Sequence, residues 1–178
     1  MTAEISIIIP TQRRLEGLAR AARSVFGQGG VDAASLELVV VDNDQTPSAQ
    51  ATTEALADEA PFPVRYVHEP APGVANARNA GMTESQGELI AFLDDDEEAP
   101  AGWLAALVSA QRLYEADVVF GPVHARANWD RVGNRVYFER FFSRLKHFRR
   151  IATRYDKLAA NFLAMVQLAS MRLWLVRL

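Results

Sequence analysis

Apolar and polar positions along the first two thirds of the chain fall into blocks whose period switches between that of a strand and that of a helix. Residues 4–10, Glu-Ile-Ser-Ile-Ile-Ile-Pro, are a β-branched run closed by a proline and predict a short buried strand. Leu15, Leu18, Ala19, Ala22, Val25 and Phe26 follow at helical spacing, and Gly27, Gly29 and Gly30 end that helix. Residues 36–41 predict a second strand, 48–58 a weakly patterned helix, and 64–68 a third strand. After the turn residues Pro70, Pro72 and Gly73, residues 74–85 read as a helix and 88–93 as a fourth strand. Pro100 is expected to open a helix with Trp103, Leu104, Leu107, Val108 and Tyr114 along one side, and residues 117–123 to form a fifth strand. Strands and helices thus alternate four times with short connections. The predicted class is α/β, a Rossmann-like, mostly parallel sheet with helices on both faces.

Composition narrows this picture. The chain has 178 residues, 49% of them hydrophobic, which suits one globular domain and excludes disorder as the main state. It has no cysteine, which excludes a disulfide scaffold, thiolate metal sites and a cysteine nucleophile, and leaves the redox compartment open. The net charge of −3 conceals a split: residues 1–130 carry 8 Lys/Arg and 20 Asp/Glu, whereas residues 131–178 carry 11 Lys/Arg and 2 Asp/Glu. No stretch near residue 1 reads as a signal peptide, and Asn161, Gln167, Arg172 and Arg177 interrupt the most apolar late stretch, residues 158–178. The chain is therefore expected to be made and kept on the cytoplasmic side.

In open α/β sheets ligands bind beyond the carboxyl ends of the strands, so the polar groups there carry the candidate chemistry. These are Thr11, Asp42 to Asp44, and Asp94 to Glu97. The run Asp94-Asp95-Asp96-Glu97-Glu98 places five carboxylates side by side, an arrangement that repels itself unless a cation intervenes. Oxygen ligands suit Mg2+ or Mn2+, which take one or two carboxylates and complete their shell with phosphate oxygens. Helix capping before Pro100 explains Glu97 and Glu98 but not three aspartates on a strand end, so the metal reading is favoured. Asp42 can accept from a base or a ribose, or can simply close an Asx-turn. Arg78 can pair with a carboxylate or a phosphate, or lie on a helix surface as most arginines do. His68, His124 and His147 are not spaced as a ligand pair and read as structural or solvated. A P-loop, a Gly-x-Ser-x-Gly elbow and a Gly-x-Gly-x-x-Gly turn are all missing.

Four segments in order, Ile7-Ile-Ile-Pro-Thr-Gln-Arg13, Val39-Val-Val-Asp-Asn-Asp44, Gly73-Val-Ala-Asn-Ala-Arg-Asn-Ala-Gly81 and Phe92-Leu-Asp-Asp-Asp-Glu97, resemble those of family 2 glycosyltransferases, with Pro100-x-x-Trp103-Leu104 as a further likeness. The resemblance covers about residues 5–123. It implies the GT-A fold, with a nucleotide-sugar-binding domain over 1–125 and a basic, partly helical, incomplete remainder of the acceptor half over 126–178. It implies that Thr11 and Asp42 hold the nucleotide base, that Arg78 braces the nucleotide, that Asp94 faces the ribose side and that Asp96 binds the metal on the diphosphate, with Pro10 and Asp95 also among the nucleotide-sugar-binding residues. The donor would be a UDP-, GDP- or dTDP-linked sugar and the acceptor a sugar or a lipid-linked sugar. Transfer would be metal-dependent and inverting. Gln12 departs from the family, in which an aromatic residue is common at that place.

The family's general base usually lies in a Glu-Asp pair well beyond the aspartate motif. Past Asp117 the acids are Asp130, Glu139 and Asp156, none in a matching motif, so no base is assigned. The chain is accordingly expected to be a shortened form. The alternative function is a nucleotide-sugar-binding fragment that lacks turnover. In the tail, Val136, Phe138, Phe141, Phe142, Leu145 and Phe148 form an apolar stripe among Arg140, Arg144, Lys146, Arg149 and Arg150. Such a helix can pack on the sheet, the reading placed first, or lie peripherally on the inner face of a membrane. Residues 162–178 would be a packed helix or an exposed apolar end. A receiver domain lacks its late-strand lysine here, a nucleotidyltransferase lacks its early glycine loop, and nothing in the tail reads nucleic-acid bases.

Overall fold

Ile5, Ile7 and Ile9 face one side of the first strand and Ile8 the other, and all four are buried, as a strand covered on both faces requires. The structure is a computed structural model that describes residues 3–121 and 175–177. The remainder of the basic tail, with its aromatic stripe, His124 and His147, lies outside the described residues. The elements are β1 (Ile5–Thr11), α1 (Leu15–Phe26), β2 (Leu36–Asp42), α2 (Gln50–Glu59), β3 (Val64–His68), α3 (Val74–Glu84), β4 (Leu89–Phe92), α4 (Trp103–Tyr114), β5 (Val118–Val119) and β6 (Leu175–Arg177).

The sheet runs β3-β2-β1-β4-β6-β5. Its first four strands are parallel, and Thr11, Asp42 and His68 stand in one row across β1, β2 and β3. That row is the carboxyl edge where the chain leaves the sheet and where ligands enter folds of this kind. On one face Ile5, Ile7, Ile9, Leu36, Leu38, Val40, Ala91 and Leu93 pack with Leu18 and Val25 of α1, Leu56 of α2 and Leu104 and Leu107 of α4. The opposite face is covered by α3, whose Gly81 lies against Ile8 and Val41. The expected α/β class, with helices on both faces of a mostly parallel sheet, is what the chain forms.

Three details differ from the sequence reading. Helix α4 begins at Trp103 rather than Pro100, because Gly102 takes a left-handed conformation (φ 77°) and the Trp103 amide closes a turn onto the Pro100 carbonyl at 3.0 Å. The fifth strand is confined to Val118 and Val119 within the described residues. Leu175–Arg177 is neither helix nor free end: it is a strand, antiparallel to both β4 and β5, and it separates them. Alternating Leu-Val-Arg suits a strand as readily as a helix over three residues, so periodicity could not decide it. Among the described residues no helix is long and apolar enough to cross a membrane.

Candidate functional site

Strand β1 delivers Thr11 to the carboxyl edge, where it is buried. Its hydroxyl donates to Asp95 Oδ2 at 2.8 Å, which fastens the acidic loop after β4 to the end of β1. Arg14, at the N-cap of α1, donates through Nη1 to Asp95 Oδ1 at 3.2 Å and to Asp96 Oδ2 at 3.3 Å. The backbone beneath is equally close: a Cβ on Gly17 would lie 2.5 Å from the Asp95 carbonyl oxygen, so only glycine lets α1 approach this loop. Asp95 is thus buried between a hydroxyl and a guanidinium, while the Asp96 side chain is 60% exposed.

Arg78 is not the surface arginine that helices usually carry. It stands on α3, largely buried, with Nη2 2.9 Å from Asp94 Oδ1 and its guanidinium carbon 5.5 Å from the centre of the Phe92 ring. Burial pushes the Asp94 carboxyl up from its ordinary value, Arg78 opposes that shift, and the charges of Asp96 and Asp95 add to it. The three adjacent aspartates are therefore divided: Asp94 to Arg78, Asp95 to Thr11 and Arg14, and Asp96 to Arg14 and solvent. The capping explanation for Glu97 and Glu98 does not describe α4, which starts after them, has no acid in its first turn and has no side-chain cap.

Asp42 is fully buried, and its carboxylate is occupied by its own chain. Oδ2 accepts from the Ser48 amide at 2.6 Å, the Ala49 amide at 2.7 Å and the Tyr66 hydroxyl at 3.0 Å, and Oδ1 from the Asp44 amide at 3.3 Å. The last contact is the Asx-turn that the Asp-Asn-Asp segment suggests. Burial first, and then the bond to Asp42, pushes the Tyr66 hydroxyl up to about 12. Asn43 holds the Pro/Gly loop: Nδ2 donates to the carbonyls of Glu69 (2.8 Å) and Ala71 (2.7 Å), and Oδ1 accepts from the Gly73 amide at 3.0 Å. Asp44 pairs with both forks of Arg13, at 2.6 and 2.9 Å, and that pair holds its carboxyl below the usual range. Arg13 adopts a left-handed backbone (φ 58°), which is uncommon outside glycine, to reach it. His68 Nε2 donates to the Asp44 carbonyl at 2.9 Å, a structural contact.

The structure thus brings Thr11, Arg78, Asp94, Asp95 and Asp96 together at one edge, with Asp42 beside Thr11 in the same row and Pro10 one residue further into the sheet. Arg13, Arg14 and Gly17 belong to the same place and were not singled out in the sequence. Residues 1–130 contain 8 Lys/Arg, and two of them follow β1 directly, which was the signal available. Among the described residues no three or more His, Cys, Asp or Glu side chains gather as a metal cage. The donor set fits a hard cation held by one or two carboxylates and completed by a ligand's phosphate oxygens, with the exposed Asp96 as its accessible oxygen source.

Comparison with known proteins identifies the family. The family model described as Glycosyl transferase family 2 matches residues 6–167, beyond the stretch in which the motifs could be recognised. The chain is 42% identical over 124 residues to the succinoglycan biosynthesis protein ExoM of Rhizobium meliloti, covering 70% of this chain and 40% of that protein. It is 28% identical over 108 residues to the GalNAc(5)-diNAcBac-PP-undecaprenol beta-1,3-glucosyltransferase of Campylobacter jejuni, covering 59% and 33%. The chain therefore spans less than half the length of these relatives. Among solved structures, the mannosyltransferase PcManGT of Pyrobaculum calidifontis in complex with GDP-Man and Mn2+ superimposes with a TM-score of 0.62 at 22% identity, covering 73% of this chain and 38% of that one. S. aureus TarS in complex with UDP-GlcNAc gives 0.53 at 21% identity, covering 69% and 37%.

Proposed function

The chain belongs to glycosyl transferase family 2 and has its GT-A fold, and from that premise we propose that it transfers a sugar from a nucleotide-sugar donor to a hydroxyl acceptor, with inversion and with Mg2+ or Mn2+ at the diphosphate. The observation that carries this reading is the division of the three aspartates at the carboxyl edge, which leaves Asp96 exposed above two carboxylates already held by Thr11, Arg14 and Arg78.

In this reading Pro10 and Thr11 form the floor under the base. Asp42 acts on the base end as a positioning residue, because its carboxylate is already engaged in fixing the 44–49 turn. Arg78 braces the nucleotide and holds Asp94 toward the ribose, and Asp95 keeps the acidic loop in place. Asp96 would hold the divalent cation. When bound, that cation supplies positive charge against the charge that the diphosphate gains as the glycosidic bond breaks. The solved neighbours complexed with GDP-Man and Mn2+ and with UDP-GlcNAc support a nucleotide-sugar donor. The names of the curated relatives, one a succinoglycan biosynthesis protein and one acting on an undecaprenol-linked sugar, support an envelope or exopolysaccharide sugar, free or lipid-linked, as the acceptor. A lipid-linked acceptor would place the protein at the inner face of a membrane.

The alternative, donor binding without turnover, draws on a separate observation. Among the described residues Asp42, Asp44, Asp94, Asp95 and Asp96 are each engaged by an arginine, a hydroxyl or an amide, and none is assigned as the general base. Calorimetric titration with UDP-, GDP- and dTDP-sugars, with and without Mn2+, tests the donor site: Asp96→Ala should abolish the metal-dependent part of binding, and a variant that binds as wild type does refutes the assignment. Release of labelled sugar from the bound donor separates transferase from binding fragment.

A further inference from the structure

We infer that Arg14 is an internal cation that occupies the carboxylate of Asp96 until a divalent cation arrives with the donor, and that it then turns to the donor's phosphate oxygens. The inference rests on the function proposed above and extends it to a residue outside the sequence-read site.

A single nitrogen of Arg14 lies 3.2 Å from Asp95 Oδ1 and 3.3 Å from Asp96 Oδ2, so one positive charge bridges two neighbouring carboxylates. Among the described residues Arg14 is the sole ion-pair partner of Asp96. The two halves of this bridge differ in how firmly they are held. Asp95 is buried and also accepts from Thr11, whereas Arg14 and Asp96 are about equally open to solvent, at 61% and 60%. An exposed ion pair of this kind is weak and is readily exchanged.

The backbone under the bridge has no such freedom. Gly17 is packed on the Asp95 carbonyl with no room for a Cβ, and the Leu18 amide donates to the Arg14 carbonyl at 2.9 Å. Exchange therefore takes a rotation of the Arg14 side chain and leaves α1 and the acidic loop where they are. A guanidinium and a divalent cation on the same carboxylate repel each other, so metal binding to the bare protein is opposed for as long as Arg14 stays. Diphosphate oxygens accept the planar fork of arginine well and supply the place to which it moves. Metal and donor then strengthen each other's binding by the same factor, because the coupling is reciprocal.

The test uses the full chain and titrates Mn2+ alone by electron paramagnetic resonance, then repeats the titration in the presence of UDP and of GDP. Arg14→Gln should bind Mn2+ alone about tenfold more tightly than wild type, because a unit charge a few ångströms from the cation has gone. It should also lose most of the strengthening that the nucleoside diphosphate gives wild type. Arg14→Lys keeps the charge and should stay within about twofold of wild type for Mn2+ alone. If Arg14→Gln binds Mn2+ alone no more tightly than wild type, or if Arg14→Lys behaves as Arg14→Gln does, the inference is overturned. Asp96→Ala separates the two levels: a loss of Mn2+ binding with UDP present keeps the metal assignment whatever Arg14 does, and no loss removes that assignment itself.

Discussion

Thr11 Oγ1 and Asp95 Oδ2 stand 2.8 Å apart although 84 residues separate them in the sequence, and both are buried. This bond joins the end of β1 to the acidic loop. Thr11→Val keeps the shape and removes the donor, leaving a buried carboxylate oxygen short of a partner. The expected loss is about 1–3 kcal/mol in urea denaturation, with weaker donor binding by calorimetry. A variant as stable as wild type and equal to it in donor affinity would show that the loop is held elsewhere.

Arg78 contributes both a charge and a flat surface over Phe92. Arg78→Lys keeps the charge but loses the fork and the stacking, so it should recover only part of the stability that Arg78→Ala loses. The full loss should be about 2 kcal/mol, since Asp94 is left partly buried and unpaired. Equal stability of the two variants in chemical denaturation would mean that the retained charge contributes nothing, and full recovery in Arg78→Lys would mean that charge alone matters.

Two glycines should fail in different ways. A methyl at Gly81 would lie 2.6 Å from Ile8 Cγ2 and 3.1 Å from Val41 Cγ2, which are side-chain tips in a packed layer. Gly81→Ala should cost about 1–3 kcal/mol of stability by overpacking and leave donor affinity nearly intact. At Gly17 the obstacle is the Asp95 backbone oxygen, so Gly17→Ala should displace the acidic loop and weaken metal-dependent donor binding more than it lowers the melting temperature. Equal effects of the two substitutions on donor affinity would contradict this separation.

The dependence of stability on pH should change when Arg13 is replaced. The Arg13 pair lowers the folded-state value of Asp44, first through its hydrogen bond. A lowered carboxyl contributes stability that is complete above the unfolded-state value and is lost as the pH falls through the folded one. Arg13→Gln should therefore lower stability to urea at neutral pH, followed by circular dichroism, and the gap from wild type should close as the pH falls through the folded value of Asp44. A gap that is absent at neutral pH, or that stays the same in acid, would show that the pair does not act through Asp44.

At the alkaline end the relevant group is Tyr66. Its folded value is raised from 10.0 to about 12, so its contribution is whole below 10.0 and disappears as the pH climbs through the folded value. Phenolate absorbance should show one of the four tyrosines ionising last, and Tyr66→Phe should remove that late phase. Its persistence in Tyr66→Phe would assign the phase to another residue.

The sheet and its helices were legible because β-branched runs such as Ile5–Ile9 and the 3.6-residue stripe from Leu15 to Phe26 obey different periods. The acidic run was legible because three aspartates on a strand end have no inexpensive structural explanation. Hidden from sequence reasoning was the partner of each acid. That Arg78 serves Asp94 while Arg14 serves Asp95 and Asp96 depends on strand order and on the approach that Gly17 permits, and neither is local information. Asp42 shows the reverse: its place at a strand end was predicted, but its burial under Ser48, Ala49 and Tyr66 required the fold. Leu175–Arg177 could not be recognised as a strand because its pairing partners are remote in the chain.

Strand β1 lies between β2 and β4, and both follow it in the chain. During synthesis its apolar residues therefore emerge before either neighbour exists, and β4 is complete only at Phe92. A seven-residue strand with four isoleucines must wait through the making of α1 for β2 to cover one edge, and through three helices for β4 to cover the other. Such a segment is prone to intermolecular pairing while nascent, so the same centrality that later makes it the most protected strand makes it the point at which a ribosome-associated chaperone would matter most.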